Sequence, residues 1–219
     1  MSSCCDFFFL VNNMVTRLIL IRHAQSEENL SGIVQGRGPG TPLTEKGRKQ
    51  AEATAEKLKD VKIDVIYSSP KLRTMQTAEI INKYHDLEII QDKNFVDRDF
   101  GVLIGTPNKR GNLTEEQKEM HRKRKSVEDY RIPGGESFDD VKKRVNESLQ
   151  KILKEHKDQT IVIVSHGNPI RTMVCVLLDL TITDSYNMKS SLNCGYTELK
   201  INEKPELVTY FCDEHLSDI

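Results

Sequence analysis

Two apolar, β-branched runs, Leu18-Ile19-Leu20-Ile21 and Ile161-Val162-Ile163-Val164, each stop at a short polar step that contains a histidine, His23 in the first and His166 in the second. Runs that are apolar at every position fit strands buried on both faces, and their polar ends put Arg22-His23 and His166 at the rim of a sheet. In open α/β sheets that rim, at the carboxyl ends of the strands, is where ligands bind. An isolated Arg-His pair is most simply a solvated strand end. It gains meaning only if other segments bring matching chemistry to the same place.

Between the two runs the chain alternates strand and helix signals. Ser31 to Leu43 is dense in Gly and Pro and reads as a loop ending at Thr44, a good N-cap. Glu45 to Lys59 places Ala51, Ala55 and Leu58 at helical spacing. Val61 to Tyr67 is a second strand, after which Ser68-Ser69-Pro70 is expected to cap a helix with Pro in its first turn and Leu72, Met75, Ala78 and Ile81 as its core stripe. Arg73 in that first turn opposes the helix dipole, which an anion bound there would explain.

Leu87 to Gln91 reads as a third strand, and Phe95 and Phe100 are expected to pin the charged loop Asp97-Arg98-Asp99. Residues 106–131 form a polar insertion of the kind that sets specificity, with a charged helix around Thr114 to Lys125. Its run His121-Arg122-Lys123-Arg124-Lys125 is read first as a solvated helix face, with reach over a phosphorylated ligand as the alternative. Ser137 and Asp140 make a capping-box pattern for a helix to about His156, whose apolar face is Val141, Val145, Leu149 and Ile152. Ile170 to Leu178 is helical, and Leu192 to Ile201 with Glu206 to Cys212 read as an antiparallel hairpin. The expected fold class is therefore α/β, three-layer, with a mainly parallel mixed sheet, helices on both faces and antiparallel edge strands.

With 219 residues the chain can bury one sizeable core. Its net charge of -1 gives no global attraction for nucleic acid or an anionic membrane, so any anion site must be local. Residues 1–13 lack the basic start and cleavage site of a signal peptide and are too short to span a bilayer. They are expected to be a disordered extension or an upstream start, with a local hydrophobic anchor as the alternative, and residues 14–219 a single domain. Five scattered cysteines, Cys4, Cys5, Cys175, Cys194 and Cys212, without metal-ligand spacing, suggest reduced thiols in a cytoplasm.

Three parallel strands thus end in Arg22-His23, in the turn leading to Arg73, and in His166. Two guanidinium forks can neutralise a phosphoryl group, while His166 and backbone N–H groups near Gly167 add donors. Neutral imidazole, with a reference pKa near ~6.5, can act as a nucleophile. Asp97 is the nearest candidate acid for a leaving alkoxide.

The stretches Leu20-Ile21-Arg22-His23-Ala24-Gln25-Ser26-Glu27-Glu28-Asn29, Pro42 to Ala51, Tyr67 to Ala78, Asp97 to Gly101, Pro133 to Ser137 and Val164 to Gly167, in that order, resemble the histidine phosphatase superfamily, which includes cofactor-dependent phosphoglycerate mutases. The resemblance implies a phosphorylated nucleophile at His23 and a phosphate pocket of Arg22, Arg73 and His166, with Asn29 on the phosphate. It places Gln35, Gly36 and Arg37 at the mouth, and Gly167 and Asn168 join the candidate substrate contacts. Asp97 stands where the family usually has Glu, and Ala24 where it usually has Gly, a change tolerated if φ there is below zero.

The implied reaction needs no metal and no cofactor, unless the chain is a mutase requiring 2,3-bisphosphoglycerate. The absence of Trp and the shortness of the 106–131 insertion favour a phosphatase of small phosphorylated metabolites over a mutase, while the basic run keeps the mutase open. A non-catalytic phosphate-binding protein is the third reading. A homodimer is left open.

Overall fold

In the computed structural model, residues 15–36, 38, 40–107, 113–189 and 192–219 are described. The expected extension 1–13 and Arg37 lie outside them. Six strands, β1 (Thr16–Arg22), β2 (Val65–Ser68), β3 (Ile89–Gln91), β4 (Thr160–Ser165), β5 (Tyr196–Ile201) and β6 (Glu206–Cys212), form one sheet in the order β3-β2-β4-β1-β5-β6. The first four are parallel; β5 runs antiparallel to β1, and β6 antiparallel to β5.

Alternate residues of the central strands face two separate cores, as strand geometry requires. Leu18, Leu20, Ile161 and Ile163 pack with Val141, Val145, Leu149 and Ile152 of the helix Phe138–Glu155 and with Ile170, Met173 and Val174 of the helix Gly167–Leu178. Ile19, Ile21, Val162 and Val164 pack with Ala55 and Leu58 of the helix Glu45–Leu58 and with Ala78 and Ile81 of the helix Leu72–Asn82. With the further helices Glu27–Leu30, Glu115–Ser126 and Ile182–Asn187, the helices in chain order are α1 (27–30), α2 (45–58), α3 (72–82), α4 (115–126), α5 (138–155), α6 (167–178) and α7 (182–187). The expected three-layer arrangement is what the chain adopts.

Local signals act much as their chemistry dictates. Thr44 accepts from the Gly47 N–H, and the capping box of Ser137 and Asp140 is closed in both directions. All four residues of the α5 stripe are at most 2% exposed, each stabilising the fold by about 1.5–3 kcal/mol. Phe95 and Phe100 are buried and anchor the loop between them.

Two expectations fail around α3. Ser69 and Pro70 precede the helix instead of starting it; Lys71 occupies the N-cap without a side-chain bond, and Thr74 Oγ1 closes the turn onto the carbonyls of Ser69 and Lys71. The buried face is Arg73, Thr74, Thr77, Ala78 and Ile81, while Leu72 is 41% exposed. The helix is rolled so that Arg73 points inward, and Thr77 Oγ1 accepts from the Ala24 N–H at 3.0 Å. Polar partners beneath the helix outweigh the apolar stripe.

Strand lengths also differ. Residues Val61–Asp64 approach the sheet without joining it, and β3 is only three residues. The segment Leu192–Gly195, expected as strand, is a turn with Cys194 at φ 57°, held because the Cys194 N–H donates to the Arg22 carbonyl at 3.0 Å.

Candidate active site

The register of β1 against β4 pairs Arg22 with Ser165, so the next residues of the two strands, His23 and His166, emerge side by side. Their rings meet edge to face with centroids 5.1 Å apart. Ser69, just past β2, brings the third strand to the same point, its Oγ 3.0 Å from His166 Nε2. The Ala24 backbone stays out of the left-handed region, so the residue found where Gly is usual carries no strain.

His23 is 2% exposed, and its protonation pattern follows from its partners. Nδ1 lies 2.8 Å from the Ala24 carbonyl, which can only accept, so the ring proton sits on Nδ1. Nε2 then keeps its lone pair, and Arg73 Nε–H donates to it across 3.2 Å. Burial, reinforced by His166, Arg22 and Arg73, holds the His23 imidazole well below its ordinary range, and burial with Arg73 and Arg22 does the same for His166. Both rings are neutral near pH 7. His166 Nδ1 is a buried nitrogen without a partner among the described residues.

Arg22 and Arg73 are drawn below the usual guanidinium range by burial, an effect the Asp97 carboxylate opposes at both. They remain cations. Arg73 also pairs with Glu28, Nη1 to Oε2 at 3.2 Å. Asn29 Oδ1 accepts from the Ser26 N–H at 3.0 Å and from Asn193 Nδ2 at 3.2 Å, which leaves the Asn29 amide donors for a ligand.

A cavity of about 380 Å³ opens over this cluster. Arg22, His23, Asn29, Gln35, Asp97, Gly167 and Asn168 all line it, while Arg73 and His166, buried against His23, are not on its wall. The first turn of α6 begins at Gly167, earlier than expected, so backbone N–H groups of that turn face the site. Gly36 is likewise absent from the cavity wall, and a Cβ there would meet Ile104 Cδ1 at 2.8 Å, so its role is packing.

The basic run of α4 also departs from the solvated face expected of it. Arg124 and Lys125 line the cavity, and His121 is buried. The cause is Arg98, 2% exposed, whose guanidinium donates to the carbonyls of Glu136, Arg124 and Tyr130 and so ties the end of α4 to the loop of Asp97. Sequence reasoning missed Arg98, Asn193, Ser69 as a His166 partner, and Tyr186. Asn193, which also donates to the His23 carbonyl at 2.9 Å, was hidden by reading its turn as strand.

Among the described residues, no three His, Cys, Asp or Glu side chains are grouped to hold a metal ion, and no helix is long and apolar enough to cross a membrane. Two neutral imidazoles, two guanidiniums and a helix N-terminus, gathered at the carboxyl edge of a mainly parallel sheet, make a site whose chemistry suits a tetrahedral oxyanion. The sequence profile of the histidine phosphatase superfamily (branch 1) matches residues 18–213, and the chain belongs to that family. Membership makes it an enzyme of the phosphatase and phosphoglycerate mutase class.

It is 35% identical over 199 residues to phosphoserine phosphatase 1 of Hydrogenobacter thermophilus, covering 89% of this chain and 90% of the other. It is 32% identical over 214 residues to a metal-independent phosphoserine phosphatase of Arabidopsis thaliana, covering 95% and 87%. A 2,3-bisphosphoglycerate-dependent phosphoglycerate mutase of Brucella ovis is 34% identical over 190 residues, covering 83% and 90%. Among solved structures, phosphoserine phosphatase of Entamoeba histolytica in complex with 3-phosphoglyceric acid superposes with a TM-score of 0.80 at 30% identity, covering 92% and 99%.

Proposed function

We propose that the chain is a metal-independent phosphatase of small phosphorylated metabolites, of the phosphoserine and phosphoglycerate kind, that works in a cytoplasm through a phosphohistidine on His23. The observation that carries this reading is the setting of His23: Nδ1 against the Ala24 carbonyl, which places the ring proton there, and Nε2 facing the Arg73 N–H. A phosphate binder needs the cations but has no use for an oriented, neutral imidazole.

In the first step the His23 Nε2–P bond forms as the ester P–O bond breaks, with Arg22 and Arg73 neutralising the equatorial oxygens. The leaving alkoxide takes the proton of Asp97. In the second step water attacks phosphorus, Asp97 takes the water's proton, and the N–P bond breaks to release inorganic phosphate. Asp97 lines the cavity with His23, which supports the shorter side chain as the acid. The free thiols of Cys175, Cys194 and Cys212 support a reducing compartment.

Arg124 and Lys125 on the cavity wall favour a substrate with a second anionic group, and for the same reason sustain the mutase as a second reading. The assay that separates them follows 3-phosphoglycerate, with and without 2,3-bisphosphoglycerate, measuring phosphate and 2-phosphoglycerate together, with phosphoserine run in parallel. Phosphate without isomer is expected. Rapid bisphosphate-dependent isomer formation with little phosphate would make the chain a mutase.

A further inference from the structure

We propose that Tyr186 and Asn168 form a positioning relay that decides which oxygen of Asp97 holds the proton given to the leaving group. The inference rests on the phosphatase reading and goes beyond it. Asn168, expected as a substrate contact, spends both ends of its amide on protein: Nδ2 lies 2.9 Å from Asp97 Oδ1, and Oδ1 lies 3.0 Å from the Tyr186 hydroxyl. The Arg98 N–H donates to the same Asp97 Oδ1, at 2.9 Å.

The polarity of this chain has one solution. Arg124 Nη1 reaches the Tyr186 oxygen at 3.5 Å, a long contact, and a guanidinium can only donate. The phenol accepts from Arg124, and its own O–H goes to Asn168 Oδ1 because the Asp97 carboxylate at the other end of the amide can only accept. That turns Asn168 Nδ2 toward Asp97, and Oδ1 of Asp97 becomes the acceptor of two N–H groups. A proton on Oδ1 would compete with both of these bonds, so the acidic proton sits on Oδ2, to which no hydrogen bond runs from the described residues.

The relay is mechanically supported. Arg171, one turn along α6 from Asn168, donates to the carbonyls of Ser185 and Lys189 and to the Tyr210 hydroxyl, pinning the end of α7. Its guanidinium also lies 5.2 Å from the Tyr186 ring centre. Tyr186 is thereby fixed by the same helix that carries Asn168. Asp97 itself is steadied from behind by Arg144, which donates to the Asp97 carbonyl at 3.2 Å.

The test compares kcat/KM for an alkyl ester that the wild type hydrolyses with kcat/KM for 4-nitrophenyl phosphate, whose leaving group needs no proton. Tyr186→Phe keeps the ring and removes only the hydroxyl. It is expected to lose about tenfold on the alkyl ester, the worth of one ordinary hydrogen bond, and about twofold on the aryl ester. Asn168→Ala should show the same selectivity, more strongly. In an Asp97→Asn background Tyr186→Phe should add less than twofold, because its route to the chemistry is already cut.

Equal losses on both esters, a change in KM alone, or full additivity with Asp97→Asn would overturn the relay and make Tyr186 a substrate contact or a packing residue. Failure of the phosphatase reading looks different. The wild type would then release phosphate from neither ester.

Discussion

Arg73 and Glu28 form an ion pair beside the buried His23: Arg73 gives Nη1 to Glu28 at 3.2 Å and Nε to His23 at 3.2 Å, with its side chain only 1% exposed. In the proposed mechanism Arg73 changes partners when a phosphoryl group arrives. Its Nε–H leaves the His23 lone pair free to attack, and its fork turns to the phosphate oxygens. Glu28 holds the resting arrangement, and in that mechanism it competes with the substrate for the same cation.

Removing that competitor is expected to tighten anion binding. Glu28→Gln keeps the shape and deletes the charge, so the inhibition constant for inorganic phosphate should fall by roughly three- to tenfold, the worth of a partly exposed ion pair near a buried cation. Steady-state inhibition by phosphate measures it. A rise would mean that Glu28 aims Arg73 for binding and does not oppose it.

His23→Ala should reduce phosphate release from every ester by more than about a thousandfold, since the bond-forming atom is gone while the cations remain. Phosphate should still bind the variant, which titration calorimetry can follow. Turnover near the wild-type rate would end the phosphohistidine mechanism.

Stability should fall on the acid side. His23 and His166 are held well below their ordinary range by burial, while in the unfolded chain they take up protons near ~6.5. Below that pH the unfolded state binds more protons, so stability declines as pH falls, by up to about 1.4 kcal/mol per pH unit for each ring, until the folded rings protonate. Above pH 7 these two groups contribute no slope. Urea midpoints at pH 7.5, 6.5 and 5.5 check the sign, and a His23→Ala, His166→Ala double variant should flatten the curve.

Gly101→Ala should destabilise by at least about 2 kcal/mol. Gly101 has φ +48°, and a Cβ there would sit 2.1 Å from the Pro133 carbonyl oxygen, backbone that has no room to yield. The strain falls where the Asp97 loop meets the end of the 106–131 insertion. Urea unfolding measures it, and an unchanged midpoint would show that the two loops can separate freely.

Strands β1 and β4 were legible because a stretch buried on both faces must be apolar at every position, and α5 because its stripe has one period and a closed capping box. The roll of α3 was not legible. Its apolar residues Leu72, Met75, Ala78 and Ile81 suggest one face, yet Arg73 and Thr77 find polar partners on another, 50 and 53 residues away in sequence. The basic run of α4 was ambiguous for a related reason: Arg98, a single buried cation gathering three carbonyls, turns Arg124 and Lys125 toward the cavity.

The sequence by itself determined the fold class, the places where the strands end and which polar side chains those ends carry, because apolar periodicity and residue chemistry are local properties. The side-by-side setting of His23 and His166, the proton on His23 Nδ1, the polarity of the Tyr186–Asn168–Asp97 chain and the second cationic wall were decided by tertiary structure alone. Each depends on strand register or on a hydrogen-bond partner far along the chain, and a donor's direction is fixed only when its acceptor is in place.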